Sequence, residues 1–137
     1  MPSPIIPSLR YRDAPRAIDW LCDAFGLVRH LVVDGEGGSI DHAQLTFGTG
    51  MIMLGSIRDN EYGELVATAG EVGKPTCGLY LVVADVDRHA ERAREAGAEI
   101  VQEPDDQPYG GRLYTCRDFE GNVWVFGSYD PWTGTEV

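Results

Sequence analysis

Residues 9–27, LRYRDAPRAIDWLCDAFGL, and residues 79–99, LYLVVADVDRHAERAREAGAE, share one plan. Each opens on a short apolar strand, turns at an aspartate, continues as an amphipathic helix and stops at a glycine. Asp13 and Asp85 fit the N-cap position, where a carboxylate accepts the unpaired amides of the first helical turn. Pro15 is tolerated because early helical amides have no intrahelical partner. Gly26 and Gly97 fit the left-handed position just past each helix. Apolar residues recur at helical spacing, Ala14, Ile18, Leu21 and Phe25 in the first copy and Val86, Ala90 and Ala93 in the second.

The chain beyond each helix also repeats. Residues 27–56 read as three strands with turns at DGEGGS and GTG, and residues 98–128 as three more with turns at PDDQPYGG and DFEG. Asp13 and Asp85 lie 72 positions apart, and Gly50 and Gly121 lie 71 apart. Two landmarks at nearly one offset define a duplicated βαβββ unit. The expected division is residues 1–56, a linker at 57–75 with room for one helical turn, a second unit at 76–130 and a tail at 131–137. The linker is either a bare spacer or a cover over a pocket. The fold class is α+β: two tandem βαβββ units within one structural domain, their curved mixed sheets enclosing a cleft for a ligand.

Composition narrows the partners. The 137 residues are 43% hydrophobic and 24% charged, ordinary for a globular chain. A net charge of -11 excludes a nucleic-acid surface, which needs concentrated Lys and Arg. No apolar run approaches the roughly 20 residues of a membrane helix. The opening MPSPIIPSLRYRD lacks a basic segment followed by an apolar core, so the expected location is cytoplasmic. Cys22, Cys77 and Cys116 are odd in number and widely spaced, which suits reduced thiols better than disulfides or a zinc site.

The duplicated plan, with LRYRDAPRAIDWLCDAFG, HAQLTFGTGMIML and YGGRLYTCRDFEGNVWVF in that order, resembles the vicinal oxygen chelate superfamily. That group includes glyoxalase I, extradiol dioxygenases and the fosfomycin- and bleomycin-resistance proteins. The resemblance implies a metal held by His and Glu side chains from the first and fourth strands of each unit. Carried onto this chain, those positions fall on Ile6, Met53, Gly78 and Val125. None offers a nitrogen or oxygen side chain to a divalent cation. A shift of one residue restores no set, since the neighbours are apolar apart from Cys77. The expectation is therefore no metal and no other cofactor.

Three histidines remain as alternatives. His30 is read as ending the second strand, and His89 as lying near the outer face of the second helix. His42 sits two residues before Gln44, so both side chains point to one face of the third strand. They are either a polar pair at a strand edge or ligand contacts, and His42 is the weak catalytic candidate as a general base. Asp118 and Glu120 are read as turn formers, while Glu61 and Glu64 lie in the linker.

Strand alternation extends the inward set to Ser8, Arg10, Met51, Met53, Tyr80, Val123 and Val125. Met is pliable toward ligands of different shape, and Tyr80 can stack or hydrogen-bond. Arg10 can meet a ligand anion or an internal carboxylate. Trp124 and Phe126, of opposite parity, should pack under a helix. The resulting expectation is a metal-free small-molecule binder resembling bleomycin-resistance proteins, paired as a homodimer. The rival is an enzyme of the same superfamily with a relocated metal or with acid–base chemistry at His42.

Overall fold

The computed structural model describes residues 3–137, which divide into two compact units, one ending at Glu71 and the other beginning at Val72. Met1 and Pro2, counted in the first unit and in the opening stretch, lie outside the described residues. The first unit runs β1 (Ser8–Tyr11), α1 (Ala14–Phe25), β2 (Val28–Asp34), a 3-10 turn at Glu36–Gly38, β3 (Ile40–Phe47) and β4 (Gly50–Ser56). Two short helices come next, α2 (Glu61–Leu65) and, at the boundary, α3 (Ala69–Val72). The second unit runs β5 (Gly78–Val82), α4 (Val86–Glu95), β6 (Glu99–Asp106), β7 (Arg112–Arg117) and β8 (Val123–Gly127), then a small hairpin of β9 (Tyr129–Asp130) and β10 (Thr135–Glu136).

Both units build a four-stranded mixed sheet, ordered β1-β4-β3-β2 and β5-β8-β7-β6. The first strand of each unit pairs in parallel with the last, and the other pairs are antiparallel. The registers repeat as well. Ser8↔Met53 and Leu9↔Leu54 in the first unit recur as Tyr80↔Val125 and Leu81↔Phe126 in the second, each residue 72 positions on. Ala43↔Leu54 recurs as Tyr114↔Phe126, so the third strand of the unit is displaced by only 71. The difference lies in the turns: two residues, Gly48 and Thr49, separate the paired Phe47 and Gly50, while three, Phe119 to Gly121, separate Asp118 from Asn122, whose carbonyl accepts the Asp118 N–H at 2.9 Å. The counterpart of Gly50 is thus Asn122. Gly121, at φ 94°, is the left-handed turn residue a non-glycine would resist.

Asp13 accepts the Arg16 amide at 3.2 Å and Asp85 the Arg88 amide at 3.1 Å, so each caps its helix as its position implies. α1 buries Ala14, Ala17, Ile18, Leu21, Ala24 and Phe25 over a sheet face holding Tyr11, Ala43, Leu45, Ile52 and Leu54. α4 buries only Val86, Ala90 and Ala93, over Leu79, Tyr114, Cys116, Trp124 and Phe126. A slim helix meets a bulky sheet in one unit and the reverse holds in the other, as close packing at fixed layer spacing requires.

Four details depart from the sequence reading. Ile6 precedes β1 rather than belonging to it. His30 is the third residue of β2, not its last. Pro104 lies within β6, where the register shifts between Gln102 and Asp105; a proline without an N–H is tolerated at such an irregularity on an edge strand. His89 does not point to solvent: its Nδ1 is 2.6 Å from the Tyr114 hydroxyl and its ring lies 4.2 Å from that of Phe126. Its neighbours Val86 and Ala90 are on the buried stripe, and the ring slides beneath the helix between them.

Candidate ligand-binding faces

Alternation gives each sheet a helix face and an open face. In the first unit Tyr11, Ala43, Leu45, Ile52 and Leu54 are buried toward α1. The intervening residues Ser8, Arg10, His42, Gln44, Met51 and Met53 therefore share the opposite face. Gln44↔Met53↔Ser8 forms a row across three strands, and Thr46↔Met51 lies beside it. Ser8 is exposed and the other five are half-buried.

His42 and Gln44 are coupled: Gln44 Nε2 lies 3.0 Å from His42 Nε2. With the amide so oriented its N–H donates, which leaves the imidazole proton on Nδ1. No carboxylate bonds the His42 ring among the described residues, so the third member of an acid–base relay is missing from this face. Glu61 and Glu64 are exposed on α2. Arg10 places its guanidinium carbon 4.8 Å over the Tyr62 ring. The two belong to the wall of a cavity of about 190 Å³ that Asp41, Ser56, Ile57, Arg58, Asn60 and Gly63 complete. The sequence reading did not single out Ser56, Arg58, Asn60 or Tyr62. The available signal was Asn60 at the head of NEYGE, a residue suited to capping a short helix.

In the second unit Leu79, Trp124 and Phe126 are buried toward α4, which leaves Tyr80, Val123 and Val125 on the open face. Val123 and Val125 are half-buried there. Tyr80 is more constrained than its sequence position implies. Its hydroxyl donates to the Tyr129 carbonyl at 2.7 Å, and its ring covers Gly127, where an added Cβ would overlap the hydroxyl oxygen. Burial, then the neighbouring Tyr109, raises its pKa. Its ring remains free to stack, while its hydrogen is already engaged. Thr115, beside Val125 in the ladder, donates to Gln102 at 2.7 Å, a polar pair the sequence reading passed over.

Cys22, Cys116 and the turn acid Asp118 are structural. Burial, followed by the charge of Asp118, pushes the Cys116 thiol up to about 12. Burial also raises Cys22, assisted by Asp19 and Asp23 against Arg29. Neither suits a thiolate nucleophile. Asp118 is buried and accepts from Glu120 N, Asn122 N and Trp124 Nε1, each at 3.0 Å, which fixes the turn and the indole together.

A family model described as the Glyoxalase/Bleomycin resistance protein/Dioxygenase superfamily matches residues 6–126. The chain belongs to that superfamily. TioX from Micromonospora sp. ML1 superposes with a TM-score of 0.72 at 38% identity, over 91% of this chain and 94% of that one. The uncharacterized protein Mb0911c of Mycobacterium bovis is 33% identical over 121 residues, 88% of this chain and 80% of that protein. A superfamily member from Sphaerobacter thermophilus shares the fold at 18% identity and a TM-score of 0.66, over 91% and 96% of the two chains.

The superfamily's metal positions do not fit a metal here. Ile6, Gly78 and Val125 carry no donor, and Met53 offers only a thioether, a poor ligand for hard or borderline cations. Among the described residues no group of three or more His, Cys, Asp or Glu is placed to hold an ion. Nor is any helix among them long and apolar enough to cross a membrane.

Proposed function

We propose that this chain is a metal-free binder of small organic molecules, which it holds on the open sheet faces rather than converts. The observation that carries the reading is the donor chemistry at Ile6, Met53, Gly78 and Val125. The superfamily's reactions rely on a Lewis acid at those positions, and these side chains cannot retain one. What the open face of the first unit does offer is recognition: thioethers at Met51 and Met53 to follow a ligand's shape, and Ser8, Arg10, His42 and Gln44 to hydrogen-bond its polar groups. Sequestration in the manner of a drug-resistance protein needs nothing more. A homodimer in the cytoplasm belongs to the same proposal.

Two measurements test it together. Elemental analysis of dialysed protein should find no divalent metal near one equivalent. A thermal-shift screen of drugs and metabolites should yield ligands that raise the melting temperature, because a ligand at 100 times its Kd stabilises the folded state by about 2.7 kcal/mol. A retained stoichiometric metal defeats the proposal. So does turnover of a hit that collapses on His42→Ala, which would instead establish the rival acid–base reading that the His42–Gln44 pair keeps in play.

A further inference from the structure

Arg10 stands apart from the other well-placed arginines. Arg29, Arg58, Arg94, Arg112 and Arg117 each pair with a carboxylate. Arg10 forms no ion pair among the described residues, although the chain carries a net charge of -11 and the residue is half-buried. Of the five N–H donors of its guanidinium, one reaches a carbonyl, that of Leu9, at 3.3 Å.

Its position is nevertheless fixed. On one side lies Gly55, where an added Cβ would sit 2.8 Å from Arg10 Nη1; any larger residue would displace the guanidinium. On the other lies Tyr62, whose ring takes the cation 4.8 Å from its centroid. Tyr62 is itself held because α2 is capped by Asn60, which accepts the Gly63 amide at 2.8 Å. Gly63 lies so close to the Arg58 backbone that a Cβ would overlap its carbonyl oxygen. Gly55 thus clears room for the guanidinium itself, while Gly63 lets α2 close on the backbone of Arg58.

The cavity beside it, about 190 Å³, is rich in donors. Arg58 also lines it, anchored by Asp41 and by Ser39 Oγ at 3.0 Å, so that acid is neutralised. Ser56 accepts the Ile40 amide at 2.9 Å, which leaves its own hydroxyl hydrogen to donate. One cation in excess, forked donors and an aromatic lid describe a site for a planar anion.

The geometry points to a carboxylate-binding subsite in which Arg10 grips the anion of a small organic acid and Tyr62 covers it. This rests on the reading of the first unit's open face as a ligand site and names the class of ligand it takes. The site selects charge and flatness rather than size, so a neutral group of equal shape is rejected because Arg10 would lose water without gaining a charged partner.

The test titrates the full chain with benzoate and with benzamide, its neutral counterpart, following the Arg10 Nε–Hε resonance by NMR. Benzoate should move that resonance to saturation and benzamide should not. Arg10→Gln should weaken benzoate about tenfold or more, the loss expected of a charge-assisted hydrogen bond, while Arg10→Lys recovers part of it. Tyr62→Leu should weaken it less, and a melt of each variant separates binding from misfolding. Equal binding of benzoate and benzamide, or benzoate affinity unchanged in Arg10→Gln, overturns the subsite. An equal response to inorganic phosphate and benzoate also overturns it, since it would reveal charge attraction without selection for a planar acid. Retained metal would sink the metal-free reading while leaving this titration intact, and a failed titration would leave the metal assay and ligand screen to decide that reading.

Discussion

The two units share a strand order and most of a register, and yet divide the work of folding differently. In the first, the helix supplies the bulk, with Ile18, Leu21 and Phe25 on α1 above Ala43, Leu45, Ile52 and Leu54. In the second, the sheet supplies it, with Tyr114, Trp124 and Phe126 beneath Ala90 and Ala93. The Trp124 and Phe126 rings are nearly parallel, 7° apart at 6.3 Å, and Tyr114 stacks on Phe126 at 5.4 Å. The open faces differ in the same sense. The polar groups of the first unit's open face bond within that face, His42 to Gln44, and leave most of the Arg10 donors over; in the second, the hydroxyls of Tyr80 and Thr115 are tied to Tyr129 and Gln102. Duplication preserved the ladder and left side-chain volume and polarity free to diverge, because the ladder is a backbone property and the packing condition constrains only a sum.

The sharpest way to break this comparison is to truncate the same register position in each sheet. Trp124 and Ile52 occupy equivalent register positions. Trp124→Ala should cost about 3–5 kcal/mol and Ile52→Ala about 2–5 kcal/mol, read by denaturant unfolding. The tryptophan should fall at the top of its range, because its loss also strips the buried Asp118 carboxylate of the indole N–H that it accepts. If Ile52→Ala proves the more damaging, the claim that the sheet dominates the second core is wrong.

The ladder and both caps were legible in the sequence because they depend on local chemistry. An aspartate before an amphipathic run and a glycine after it identify a helix without any knowledge of what packs on it. The open-face residues were legible for the same reason: strand alternation is a parity rule, and Ser8, Met53 and Val125 fall where parity puts them. What parity does not carry is how far a long side chain bends. His89 sits beside the buried stripe of α4, and only the hydroxyl of Tyr114, 25 positions on, draws its ring inward. Tyr80 is tied by a carbonyl 49 positions away. Arg10 meets Tyr62 through a short helix whose stability rests on one asparagine and a close backbone approach. Such contacts depend on tertiary proximity that no local pattern encodes.

A second comparison sets Cys116, under α4, against Cys22, half-buried on α1. In the folded chain burial raises the Cys116 thiol from its ordinary 9.0 to about 12. Above pH 9 the unfolded chain releases this proton and the folded chain retains it, so the unfolded state binds fewer protons. Stability is therefore complete below pH 9 and falls as pH climbs toward 12, with a limiting slope of roughly 1.4 kcal/mol per pH unit for one proton. Cys116→Ala should flatten that decline in a series of melts from pH 8 to pH 11, at a fixed cost in packing. Cys22→Ala should flatten it less, because the nearby Arg29 offsets part of the rise. Equal flattening would mean that the two thiols sense the same environment.

The smallest effect compares the two caps. Asp13→Ala and Asp85→Ala each remove one carboxylate from the head of a helix, a loss of about 1 kcal/mol. The helices behind them are not equally supported. α4 keeps an acid in its first turn, Asp87, and basic residues in its last, Arg92 and Arg94, all favourably placed along the helix dipole. α1 has neither an acid in its first turn nor a base in its last. The cap therefore carries more of the electrostatic stabilisation of α1, and Asp13→Ala should be the more destabilising of the two by a few tenths of a kcal/mol. Hydrogen exchange of the first-turn amides reads this most directly, since it reports fraying of each helix separately. Faster opening at α4 than at α1 in the matched variants would show that the charges along α4 contribute less than the apolar stripe of α1 does, and the comparison would have to rest on packing alone.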